Sequence, residues 1–121
     1  MARAGVWYTS TYERVDDMTV LQLTDENEVY DAIDSVDGRV VVLFTAPAWC
    51  GPCRKFEPQY VLAANMTNAA KFIAVDIDKA PWTTDVADIR AVPTIRLYEG
   101  GKYIRDLKPA AAKQFVESVE S

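Results

Sequence analysis

The only two cysteines of the chain, Cys50 and Cys53, stand in the run Trp49-Cys50-Gly51-Pro52-Cys53. The thiolate is the reactive form of cysteine, and a free thiol is mostly protonated at neutral pH. The run follows the β-forming stretch Val40 to Phe44 and precedes a segment with helical periodicity. Cys50 therefore sits where a helix begins. Unpaired backbone N–H groups and the positive end of the helix dipole both favour a thiolate there. Cys53 lies one turn further in, close enough to close a disulfide on Cys50. That spacing suits a pair cycling between dithiol and disulfide.

Other uses of two cysteines fit less well. A structural zinc site needs about four Cys, His or carboxylate ligands, and this chain has two cysteines and no histidine. A structural disulfide across two intervening residues closes a very small loop and stabilises little. Two inert core cysteines do not call for Gly51-Pro52 between them, which marks a turn and a helix start.

At 121 residues the chain makes one domain with one modest core. Half the residues are hydrophobic, and 18 acidic residues oppose 13 basic ones for a net charge of −5. That balance argues against non-specific nucleic-acid binding, which needs a basic face. No apolar run approaches a membrane span, and Met1 to Val15 lacks the apolar core of a signal peptide. A cytoplasmic location is the default expectation, and two cysteines in a cytosolic chain read as redox-active or catalytic. No glycine-rich phosphate loop is present, so no nucleotide cofactor is expected.

The elements that must hold the cysteines follow in order. Thr19 to Leu23 has strand character, and Thr24 is a candidate cap for the helix after it. Val29, Ile33 and Val36 share one face of that helix, which Asp37-Gly38 ends. Val40 to Phe44 reads as a central strand covered on both faces. From Cys53 to about Asn65 a helix presents Phe56, Tyr60 and Ala63-Ala64 inward, with Pro58 inside it. Lys71 to Asp78 is the next strand. Pro81 starts a short helix over Thr83 to Ile89, with Trp82 read as a packing aromatic. Ile95–Glu99 and Lys102–Asp106 form a hairpin around Gly100-Gly101. Pro109 to about Val119 is the last helix, with proline in its first turn and Phe115, Val116 and Val119 inward. The order βαβαβαββα gives an α/β domain with a mixed central sheet and helices on both faces. Residues 1–18 form an N-terminal arm of unassigned role, in which Val6-Trp7-Tyr8 and Tyr12 are apolar enough to pack. Residues 19–121 form the domain.

Trp-Cys-Gly-Pro-Cys after a hydrophobic strand resembles the active-site motif of the thioredoxin family. Pro58, five residues after Cys53, falls where that family has a helix proline, and Val92-Pro93-Thr94 resembles its cis-proline segment. The resemblance spans roughly Thr19 to Ser121 and implies the thioredoxin fold. It also implies a protein disulfide reductase with Cys50 as nucleophile and Cys53 as resolving cysteine. By the same resemblance Trp49, Gly51, Pro52, Val92 and Pro93 bind substrate, Val92 by offering its backbone to an extended client. The implied partners are disulfide-bearing client proteins and a reductase: a flavin-dependent thioredoxin reductase using NADPH, or a ferredoxin-linked or other equivalent system. No bound cofactor, metal, nucleic acid or membrane is implied, and the chain is expected to act as a monomer. Two other functions compete. Glutaredoxin-like chemistry favours Cys-Pro-Tyr-Cys and a Thr before Val-Pro, whereas this chain has Gly51-Pro52 and Ala91. An adaptor built on the same fold would not need the cysteines.

Three departures from the family pattern stand out. The link Thr45-Ala46-Pro47-Ala48 is one residue longer than the family pattern, the extra residue falling around Ala46 to Ala48. The buried Asp that family members carry before the strand's Phe, held to take a proton from the buried cysteine, falls on Leu43, and its usual lysine partner falls on Ala74. Losing both together avoids a stranded buried charge, and the resolving cysteine is then expected to lose its proton to water or to the substrate thiolate. The flexible glycine expected after the last strand is replaced by Leu107-Lys108-Pro109-Ala110, a stiffer rim.

Overall fold

In the computed structural model, which describes residues 20–121, the strands and helices follow the expected order. The arm 1–18 and Thr19 lie outside the described residues. The first strand, β1 (Val20–Gln22), leads to α1 (Glu26–Asp34). Asp25, not Thr24, caps α1: its carboxylate accepts the Glu28 N–H at 3.1 Å. Both residue types cap well, and the turn sets the register one residue later. Val29 and Ile33 are buried against the sheet, and Val36 packs beside them.

β2 (Arg39–Thr45) is the sheet's centre and is buried from Val40 to Thr45. α2 (Gly51–Met66) begins two residues earlier than its periodicity suggested, because Cys50 takes the N-cap position and Gly51-Pro52 fill the first turn. β3 (Ala70–Asp76) runs into a short 3-10 turn at Ile77–Lys79. The helix expected over Thr83–Ile89 is a single turn, α3 (Trp82–Asp85), since Asp88 takes a left-handed φ of 58° just beyond it. Trp82 packs as expected, against Tyr30 and Phe44, and its indole N–H donates to the Thr24 carbonyl at 2.7 Å.

β4 (Thr94–Glu99) and β5 (Lys102–Leu107) form the hairpin, with φ of 60° at Gly100 and 84° at Gly101. Two left-handed residues in succession match a two-residue turn that glycine adopts without strain. The last helix, α4 (Ala112–Glu120), starts after Pro109 instead of on it. Ala111 holds an extended backbone as N-cap, so the proline ends the loop rather than opening the helix. Phe115 and Val119 are buried and Val116 packs on the core.

The sheet order is β1-β3-β2-β4-β5, with β1, β3 and β2 parallel and β4 and β5 antiparallel. Alternation along β2 splits the core in two. Val41 and Leu43, with Phe72 of β3, face α2 and α4 through Phe56, Tyr60 and Phe115. Val40, Val42 and Phe44 face α1 and α3. The ends of β2 and β3 and the start of α2 converge at one edge of this sandwich, and the cysteines sit there.

Candidate functional site

Where β2 ends, the chain turns sharply. The Trp49 and Cys50 N–H groups both donate to the Ala46 carbonyl, at 3.2 and 2.9 Å. The extra residue of the link is absorbed in this turn, and Arg54 fastens it by donating to the Pro47 carbonyl at 2.9 Å. Arg54 thus holds the loop. Ala46 is fully buried and packs against both cysteines, with Ile77 and Val92 closing the cluster.

Cys50 and Cys53 are joined by a disulfide. Cys50 caps α2 from an extended backbone, and its sulfur accepts the Cys53 N–H at 3.2 Å. The expected helix-terminus stabilisation of a Cys50 thiolate therefore has a specific donor. The Cys50 sulfur also lies 3.7 Å from the Val92 carbonyl oxygen. The Val92–Pro93 peptide is cis, and both residues are half-buried. Cys50 is 5% exposed and Cys53 1%, whereas Trp49 is 60% exposed. Gly51 and Pro52 are also at the surface. The Trp49 indole N–H donates to both Asp78 oxygens, at 3.1 and 3.0 Å, which fixes the ring beside the cysteine loop.

All seven site residues picked from the sequence thus come from one neighbourhood: the motif at the head of α2, and Val92-Pro93 entering β4. Beyond Pro52 an open groove of about 290 Å³ is lined by Pro52, Lys55, Phe56, Gln59, Pro109 and Ala110. The glycine-free rim is part of that groove. Gln59 secures it by accepting the Ala112 N–H at 2.9 Å.

Leu43 and Ala74 are in-register partners across β2 and β3, both buried in the same apolar cluster. Their joint lack of charge is consistent with that packing. The sequence reading missed a different ionisable group. Glu57 is 4% exposed, and its Oε2 accepts a hydrogen bond from the buried Thr45 hydroxyl at 2.6 Å. Burial pushes its carboxyl from the ordinary 4.5 up to about 7; Asp76 adds to the rise, while the Thr45 bond and Arg54 oppose it. The available signal was spacing: Glu57 follows Cys53 by four and sits between Phe56 and Tyr60. The Asp78 contact with Trp49 joins two elements 29 residues apart and has no signal in the sequence. Among the described residues no group of three or more His, Cys, Asp or Glu is arranged to hold a metal. No described helix is long and apolar enough to cross a membrane.

The sequence profile described as Thioredoxin matches residues 19–121. The chain is 35% identical over 102 residues to thioredoxin-2 of Saccharomyces cerevisiae, covering 82% of this chain and 97% of that one. It is 32% identical over 102 residues to thioredoxin-1 of Schizosaccharomyces pombe, covering 84% and 97%. A solved thioredoxin structure from Plasmodium falciparum has a TM-score of 0.72 at 28% identity, covering 82% of this chain and 95% of that one.

Proposed function

This chain belongs to the thioredoxin family and is a dithiol–disulfide oxidoreductase; from that premise we propose that it is a protein disulfide reductase in which Cys50 attacks and Cys53 resolves. The Cys50 thiolate displaces one sulfur of a client disulfide and forms a Cys50–client bond. Cys53 then attacks the Cys50 sulfur, forms the Cys50–Cys53 disulfide and releases the second client thiolate. Two electrons pass to the client, and an external reductase returns the pair to the dithiol. The observation that carries the assignment is the position of Cys50. It caps α2, receives the Cys53 N–H and adjoins the Val92 carbonyl, while Cys53 lies deeper.

In this reading Trp49, Gly51 and Pro52 form the exposed contact surface, and Val92 and Pro93 line the path of an extended client. The redox group is the disulfide itself, with no bound cofactor. Electrons arrive from a thioredoxin reductase or an equivalent system. The protein works as a cytoplasmic monomer that carries electrons to client proteins and keeps their thiols reduced. A pair that reduces client disulfides works where thiols are kept reduced, which is the condition of the cytosol.

The assignment is tested by trapping. C53S, exposed to a disulfide-bearing protein, is expected to accumulate a covalent adduct that dithiothreitol releases. C50S is expected to give none. Equal adducts from both variants, or none from C53S, would overturn the order of attack.

A further inference from the structure

The exchange just described leaves one problem and one unused group. The problem is the proton on Cys53. A thiol buried in apolar surroundings holds its proton more tightly than a free one, and Cys53 is 1% exposed among Ala46, Ile77 and Val92. The helix terminus serves the other sulfur, because the Cys53 N–H points at Cys50. The unused group is Glu57. It shares the buried face of α2 with Cys53, one turn on, which puts the two Cβ atoms about 5–6 Å apart. Side chains on a helix lean toward its N-terminus, so the Glu57 side chain leans back over the turn that carries Cys53.

Its surroundings hold it there. One carboxyl oxygen is fixed by the Thr45 hydroxyl at 2.6 Å. Thr45 ends β2 and is followed directly by Ala46, which packs on both cysteines. The other carboxyl oxygen has no protein hydrogen-bond partner among the described residues. A buried carboxyl with half its acceptor capacity unused is costly to keep, and this one is carried one helical turn from a buried thiol that must ionise.

Resting on the exchange reading above, we propose that Glu57 is the proton acceptor for Cys53 in the resolving step. In the mixed disulfide the Cys53 S–H proton passes to the Glu57 carboxylate, directly or over one water. The Cys53 thiolate attacks the Cys50 sulfur, the Cys50–Cys53 bond forms, and the Cys50–client bond breaks with its electron pair on the client thiolate. Protonated Glu57 then returns its proton to solvent or to the departing thiolate. This base replaces the solvent or substrate route that Leu43 and Ala74 suggest from sequence alone. The charged and polar groups facing Glu57 are Thr45 from β2, Asp76 from β3 and Arg54 from α2 itself. Their combined effect with burial leaves the carboxyl near 7, where a base is both ionised and strong enough at neutral pH.

The test mixes the reduced protein with a small aromatic disulfide that yields one coloured thiolate at Cys50 attack and a second at Cys53 resolution. In the wild type the second rate is expected to rise with pH through about 7. In E57Q that rise should vanish, and the second rate should fall about tenfold or more at neutral pH relative to the first. T45V removes a bond that favours the ionised carboxylate and should move the rise to higher pH, a change no packing role would produce. If E57Q does not fold, T45V decides alone. Two releases with an unaltered second rate in folded E57Q, or an unmoved rise in T45V, overturn the role of Glu57. A single release from the wild type overturns the exchange reading, and this proposal with it.

Discussion

Glu57→Gln is expected to change how stability depends on pH before any client is added. The folded carboxyl sits at about 7 and the unfolded one near 4.5. Between those values the folded state keeps a proton that the unfolded state has lost. Stability from this group is therefore complete below about pH 4.5, declines as pH rises, and levels off above about 7. At about 1.4 kcal/mol per pH unit, the gap amounts to roughly 3 kcal/mol. Glutamine fills nearly the same volume, can keep a bond to Thr45, and does not titrate. The difference between the two proteins isolates Glu57, because the other carboxylates cancel. Urea denaturation of the oxidised forms in steps from about pH 4.5 to 8.5 measures it. The two should be close in acid, with E57Q gaining up to about 3 kcal/mol on the wild type above neutrality. A difference that stays constant across the range would mean that Glu57 titrates alike in both states, and the argument from its burial would fail.

Two further substitutions test the frame around the site. The Tyr60 hydroxyl is fully buried, 3.1 Å from the Val41 carbonyl and 2.7 Å from that of Ile73, so it bridges β2 and β3. Tyr60→Phe should lower stability by about 1–2 kcal/mol, read as a lower urea midpoint at unchanged slope. At the hairpin, a methyl on Gly101 would meet the Asp34 Oδ1 at 3.1 Å with φ at 84°, whereas one on Gly100 meets nothing closer than 3.9 Å. Gly101→Ala should therefore cost about 1–2 kcal/mol and more than Gly100→Ala. Thermal melts that rank them the other way would contradict the contact.

The parts of this fold visible in the sequence are those where one strong signal acts alone. The apolar run Val40–Phe44 is long enough and bounded closely enough to be a central strand, and Gly100-Gly101 leaves little choice of turn. Cys50 to Cys53 announce their chemistry by type and spacing. Boundaries were less legible where neighbours compete. Thr24 and Asp25 both cap well, and only the path of the turn chooses Asp25. Pro109 suits a helix start as well as a loop end, and the extended backbone at Ala111 decides for the loop. Glu57 was hidden for a related reason. A lone glutamate beside an inward stripe reads as a solvated flank, and its burial depends on Thr45, twelve residues away on another element. The joint absence of charge at Leu43 and Ala74 was legible only through the resemblance to the family pattern, and the register of β2 and β3 then sets the two positions side by side.

The most direct test of the account is the equilibrium between the Cys50–Cys53 disulfide and its dithiol, titrated against a thiol–disulfide buffer and read by alkylation of free thiols. One two-electron transition is expected at the reducing end of the range, near the roughly −270 mV typical of thioredoxins. A transition near the roughly −120 mV of strong thiol oxidants, or no reversible transition at all, would contradict it.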